Sequence, residues 1–184
     1  MWFLHELAPE SAAYNIAAAA RLHSHLDVNA LEQSLQKLIE RHPALRTTFP
    51  VESDTPVQRV SDFATISFHY EDAAHLSETA LAEHLREQTA RPFDLTTGPL
   101  LRVSLLKRTA DEHVLLFVAH HMIVDFWSMA LLIDELGTIY EAQGKSSSAN
   151  LPPQSLTYLD YSRGQAEMLA ALRANDSGAT GKNS

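Results

Sequence analysis

Two apolar runs, Leu101–Lys107 and His113–Ala119, are separated only by Arg108–Glu112, and this spacing constrains the fold more than any other feature of the chain. In the first run Leu101, Val103 and Leu105 alternate with Arg102, Ser104 and Lys107, the period-two pattern of a strand. The second, HVLLFVA, is a continuous stretch rich in Val, Leu and Phe and reads as a buried strand. So short a connection predicts an antiparallel hairpin.

The hairpin delivers His120-His121-Met122-Ile123-Val124-Asp125-Phe126-Trp127-Ser128, which sets two imidazoles and a carboxylate between a strand and a helix. Histidine titrates nearest to physiological pH, so it can take a proton from a nucleophile and return it. Downstream, Phe126, Met129, Ala130, Ile133, Leu136 and Tyr140 recur at helical spacing and predict one apolar face. Asp125 stands where an N-cap belongs, able to accept from the free amides of the first turn and to meet the positive end of the helix dipole. On the residues alone two readings remain for each group. His121 is either an acid/base group or a hydrogen-bonded polar residue at a strand end, and Asp125 is either a plain cap or part of a site. A His and an Asp four residues apart also suit metal ligation, but the chain has no second ligand cluster, no HExxH and no cysteine, so no metal is expected.

Composition excludes several classes. The 184 residues, 45% of them hydrophobic, suit one globular domain or one lobe of a larger unit. A formal charge of -9 argues against a nucleic-acid partner, which would be met by clustered Lys and Arg. No run of about 18 apolar residues is present, so no membrane partner is expected. The first residues, MWFLHELAPES, lack the basic start and apolar run of a secretory signal. Without cysteine there is no disulfide framework, and a cytoplasmic location is the simplest expectation.

The rest of the chain alternates between helical and strand patterns without an internal repeat. Tyr14–His23 is a candidate strand, weakened by its alanines. Asp27 or Asn29 can cap a helix running to about Arg41, with Val28, Leu31, Leu35, Leu38 and Ile39 on one face; Asn29 and Glu32 have capping-box spacing. His42-Pro43 ends that helix. Short strands are expected at Leu45–Phe49 and Val57–Val60, another near Ile66–Tyr70, and then a helix over Ser77–Ala90. Gly98-Pro99 reads as a turn. Beyond the polar Gly144–Asn150 loop, a last amphipathic helix is expected over Ser155–Arg173, and Asn175–Ser184 has almost nothing to bury and is expected to be disordered.

Several stretches, in order, carry a family resemblance. They are Trp2-Phe3-Leu4-His5 with Ser11-Ala12-Ala13-Tyr14-Asn15-Ile16, then Arg41-His42-Pro43-Ala44-Leu45-Arg46-Thr47-Thr48-Phe49, then Pro92-Phe93-Asp94-Leu95 with Gly98-Pro99-Leu100-Leu101-Arg102, and the HHMIVDFWS run. Tyr158-Leu159-Asp160-Tyr161 with Gln165 makes a fifth. Together the chain resembles the N-terminal half of a condensation domain of nonribosomal peptide synthetases, in the superfamily that includes chloramphenicol acetyltransferase. The resemblance implies an α/β fold, an α+β two-layer sandwich whose mixed, mostly antiparallel sheet carries packed helices. It implies residues 1–173 as the N-terminal lobe and 174–184 as a disordered tail or linker.

The activity it implies is amide formation. A donor acyl group on one phosphopantetheine arm is attacked by the amine of an acceptor on another, so the partners are donor and acceptor carrier protein domains and the C-terminal lobe, with no cofactor bound by this lobe. His121, the second histidine of HHxxxD, is the family residue facing the reaction, either as a base or by holding the amine and the tetrahedral intermediate. His120 points elsewhere, because successive strand residues face opposite sides. Asp125 in such folds turns away from the substrates and pairs with an arginine, here Arg46, to steady the loop that aims His121.

Two departures from the family bear on function. Phe126 stands where the family has glycine after the motif aspartate, and with Trp127 and Ser128 it is expected along the substrate channel, either as a wall of it or turned into the core. Only the first of the family's two lobes is present, so the lone lobe is expected to be incomplete and inactive. Besides the condensation enzyme, the alternatives are a coenzyme A-dependent acyltransferase completed by oligomerisation and a non-catalytic docking or recognition module for carrier proteins.

Overall fold

The computed structural model describes residues 2–145, 149 and 151. A short helix, α1 (Trp2–Leu7), leads into strand β1 (Asn15–Leu22) and helix α2 (Val28–Arg41). A 3-10 turn (Pro43–Arg46) follows, then the two-residue strands β2 (Thr47–Thr48), β3 (Val51–Glu52), β4 (Thr55–Pro56) and β5 (Arg59–Val60). The chain continues through β6 (Ser67–Asp72), α3 (Glu78–Ala90), β7 (Leu101–Lys107), β8 (His113–His120) and α4 (Phe126–Gly144).

The main sheet has the order β1-β8-β7-β6. The β7–β8 hairpin is antiparallel as expected, with Lys107 opposite His113. Strand β1 pairs antiparallel with the other side of β8, Asn15 opposite His120, and β6 runs parallel to β7. The sheet is therefore mixed and mostly antiparallel, with helices packed on it.

The parity of β8 explains its continuous apolar sequence. Leu115, Phe117 and Ala119 pack with Leu35, Leu38, Met129 and Leu136 of α2 and α4. Val114, Leu116 and Val118 face the other way, toward Leu81 of α3 and the Phe93–Leu100 segment. Packed elements thus cover both faces of β8, and every residue of the strand is buried. A strand covered on both sides gains from an apolar residue at each position rather than every second one.

Each longer helix starts at a side-chain cap. Asp27 accepts from the Ala30 amide at 3.0 Å, Ser77 from Ala80 at 3.2 Å and Asp125 from Ser128 at 2.7 Å. The α4 face is rotated from the expected one: Met129, Leu132, Leu136 and Ile139 are buried, while Phe126 and Ala130 are exposed. The expected strand at Leu45–Phe49 is mostly the 3-10 turn, with only Thr47–Thr48 pairing to Arg59–Val60. Pro43 at the first position, with its fixed φ and no N–H to give, favours that turn over a strand start. At the Gly98-Pro99 turn Gly98 has φ +62°, and a Cβ there would lie 3.0 Å from Thr48 Cγ2. The expected helix over 155–173 and the tail from 174 lie outside the described residues.

Candidate active site

Strand β8 ends at His120, and the turn after it is tied to three neighbours. His120 donates its amide to Leu100 O at 3.0 Å, His121 to Tyr14 O at 2.8 Å, and the Ile123 amide returns to His120 O at 3.0 Å. These bonds set the two imidazoles apart, as strand parity predicts.

His120 is 1% exposed. Its ring meets three others: His5 edge-on at 5.6 Å, Tyr14 at 6.1 Å and Phe93 edge-on at 6.3 Å between centroids. Nδ1 accepts the Met122 amide at 3.2 Å, so in the neutral ring the proton sits on Nε2, which is buried without a hydrogen-bond partner. Burial, reinforced by His5, His121 and the chain N-terminus, pushes its pKa down to about 4. At neutral pH His120 is an uncharged packing residue.

His121 is exposed, and its Nδ1 lies 3.0 Å from Val124 O. A carbonyl only accepts, so Nδ1 carries the hydrogen and donates it. That leaves the Nε2 lone pair free to accept a proton, the arrangement a general base requires.

Asp125 and Arg46 do not form the expected pair. The Asp125 carboxylate is taken up by the backbone N–H and the hydroxyl of Ser128, which hold its pKa below the ordinary carboxylate range. Arg46 sits on the 3-10 turn among carbonyls instead. It donates Nε to Ile39 O at 3.2 Å, Nη1 to Ser61 O and to Asp62 O at 3.3 Å, and Nη2 to Glu40 O at 3.5 Å. The end of α2 presents carbonyls with no intrahelical partner, and a five-donor guanidinium beside them satisfies several at once. The ionic tie between α2 and α4 runs elsewhere: Glu135 accepts from Arg41 at 3.1 Å and meets His42 Nε2 at 2.7 Å.

Phe126 and Trp127, on the first turn of α4, are 73% and 75% exposed, so Phe126 is not part of this core; Ser128 is partly buried. Among the described residues no group of three or more His, Asp or Glu side chains can hold a metal ion. No helix among them is long and apolar enough to cross a membrane.

The supporting layer contains residues to which the sequence assigns no role. Asn15 Nδ2 donates to Thr89 O at 2.7 Å and Arg91 O at 2.9 Å. Arg102 donates to Pro92 O at 3.0 Å and Arg91 O at 2.6 Å, with its guanidinium carbon 3.8 Å from the Phe93 ring centroid. Both lie inside the stretches that carry the family resemblance, which was the available signal. His5, by contrast, belongs to a six-residue helix that no periodicity announces.

The family model of the condensation domain matches residues 1–177. The chain belongs to the condensation-domain family. Among curated condensation-family relatives, it is 43% identical over 173 residues to a component protein of the linear gramicidin synthase of Brevibacillus parabrevis, covering 92% of this chain and 2% of that protein. It is 35% identical over 180 residues to phosphinothricin tripeptide synthetase PhsC of Streptomyces viridochromogenes, covering 96% of this chain and 17% of that one. Among solved structures, the X-domain in complex with OxyB from teicoplanin biosynthesis matches with a TM-score of 0.85 at 31% identity, over 95% of this chain and 38% of that one. The starter condensation domain of rhizomide synthetase RzmA has the same fold, with a TM-score of 0.85 at 23% identity, over 97% of this chain and 45% of that one. The chain thus spans less than half the length of each of these relatives.

Proposed function

We propose that this chain is the histidine-bearing lobe of a peptide-forming condensation unit. Condensation domains are amide-forming domains of the acyltransferase type, and the relatives include a gramicidin synthase and a tripeptide synthetase. The observation that carries the reading is the bond from His121 Nδ1–H to Val124 O, which leaves Nε2 of this exposed residue as an acceptor. The acceptor amine attacks the thioester carbonyl of the donor; a C–N bond forms and the C–S bond breaks. His121 Nε2 takes the amine proton or holds the amine by hydrogen bonding, and the departing sulfur is released as thiol once it receives a proton. Both substrates arrive on phosphopantetheine arms of carrier domains, and a second lobe closes the other side of the channel, with Phe126, Trp127 and Ser128 along the approach. The lone lobe is inactive on this reading, and its setting is the cytoplasm.

The test is His121→Ala in the complete condensation protein, assayed with carrier-loaded donor and acceptor. Loss of general acid/base catalysis lowers the rate roughly 100- to 10,000-fold. Because His121 is exposed, the variant still folds, with stability lowered by no more than the lost bond to Val124 O, about 1 kcal/mol. Full activity in His121→Ala rejects the assignment.

One observation favours a second reading. A neighbour covering 95% of this chain at 31% identity is itself seen in complex with another protein, OxyB. A docking module needs the fold but not a free Nε2, so binding of a carrier or enzyme partner by a His121→Ala chain whose parent shows no condensation would favour it.

A further inference from the structure

We propose that Arg102 is a positioning residue for His121, acting through Phe93 and His120. Among the described residues Arg102 makes no ion pair with a carboxylate. Its two terminal nitrogens go to the carbonyls of Pro92 and Arg91, at 3.0 and 2.6 Å, and its planar head covers the Phe93 ring at 3.8 Å. Fixed donors and a ring face make a rigid bracket, which a single ammonium would not reproduce.

The bracket bears on the site through one ring. Phe93 stands edge-to-face against His120, with centroids 6.3 Å apart and planes at 85°. Asn15, the β1 residue opposite His120, holds the same segment and shares the Arg91 carbonyl with Arg102. His120 is in turn the footing of the turn: its Nδ1 receives the Met122 amide and its carbonyl the Ile123 amide. Those two bonds set the path that puts Val124 O within 3.0 Å of His121 Nδ1. If Phe93 shifts, His120 repacks, the turn relaxes, and the bond that selects the His121 tautomer is lost.

The inference rests on reading His121 as the reacting imidazole, but its test does not depend on turnover. The 15N-labelled 184-residue chain is examined by long-range 1H–15N correlation of the imidazole nitrogens, alongside thermal melting. The wild type shows His121 with its hydrogen on Nδ1. Arg102→Met and Phe93→Leu shift His121 to the exchange-averaged pattern of free histidine while backbone signals stay dispersed. Arg102→Lys, which keeps the cation but not the two-carbonyl bracket, falls between. A folded Arg102→Met or Phe93→Leu chain that retains the wild-type His121 pattern overturns the proposal. So does a change at His121 that appears only with general loss of folded signals in all three variants, which makes Arg102 a core residue alone. A wild-type chain without the Nδ1–H pattern overturns the tautomer assignment itself, and with it this proposal.

Discussion

His120 and His121, adjacent in the chain, are held as opposite tautomers: the first accepts through Nδ1 from the Met122 amide, the second donates through Nδ1 to the Val124 carbonyl. The first imidazole is buried and serves the fold. The second is exposed with its Nε2 lone pair available. One dipeptide therefore pairs a buried imidazole with an exposed one, and the division makes the two residues separable by experiment.

Stability is expected to fall on mild acidification because of His120. Its pKa in the folded chain is about 4 against an ordinary 6.5, so the unfolded chain binds this proton first as pH drops. The contribution is complete above the unfolded value and is lost as pH falls from 6.5 to about 4. It amounts to about 3 kcal/mol. Denaturant melts between about pH 7 and pH 4.5 should show a shallower decline for His120→Gln, which keeps an acceptor but does not titrate. Equal pH dependence in the two proteins would mean that His120 does not carry the effect.

Arg46 and Asp125 are expected to contribute independently. Asp125→Ala removes a helix cap and costs about 1 kcal/mol. Arg46→Ala strips donors from the carbonyls of Ile39, Glu40, Ser61 and Asp62, a loss of about 1–3 kcal/mol. In a double-mutant cycle the coupling should stay below about 0.5 kcal/mol. A markedly larger coupling would restore the ion pair.

Phe126→Gly is expected to leave the fold standing, since the ring is 73% exposed, and to change stability by no more than about 1 kcal/mol. On the proposal that the ring lines the channel, turnover of bulky donors in the complete protein should be retained or raised relative to small ones. Comparing kcat/KM across donors of graded size reads this directly. A uniform fall at every size, in a folded variant, removes Phe126 from the channel.

Much of this architecture was legible from period alone. The β7–β8 hairpin was announced by its apolar runs and short connection, α2 and α4 each bury a regular stripe, and Asp125 and Asp27, the latter beside Asn29, were already candidate caps. Less legible was anything fixed by irregular chain. The partners of Arg46 include carbonyls at Ser61 and Asp62, fifteen and sixteen residues away in a segment without pattern. The resemblance implied a carboxylate partner, yet Asp125 was already read as a cap, and its one carboxylate is taken up by Ser128. Likewise the α4 stripe was legible as helical but offset. Phe126 shares its period, but at the first turn the helix has not yet reached the layer formed with α2.

The pairing of Asn15 with His120 joins strands roughly a hundred residues apart in sequence, whereas the β7–β8 hairpin closes over a five-residue connection. Loop-closure entropy makes the distant pairing the slower event. The Tyr14 carbonyl that holds the His121 amide arrives only with β1. The hairpin alone therefore presents both histidines without seating either, and the geometry that distinguishes them is complete only once β1 has paired with β8.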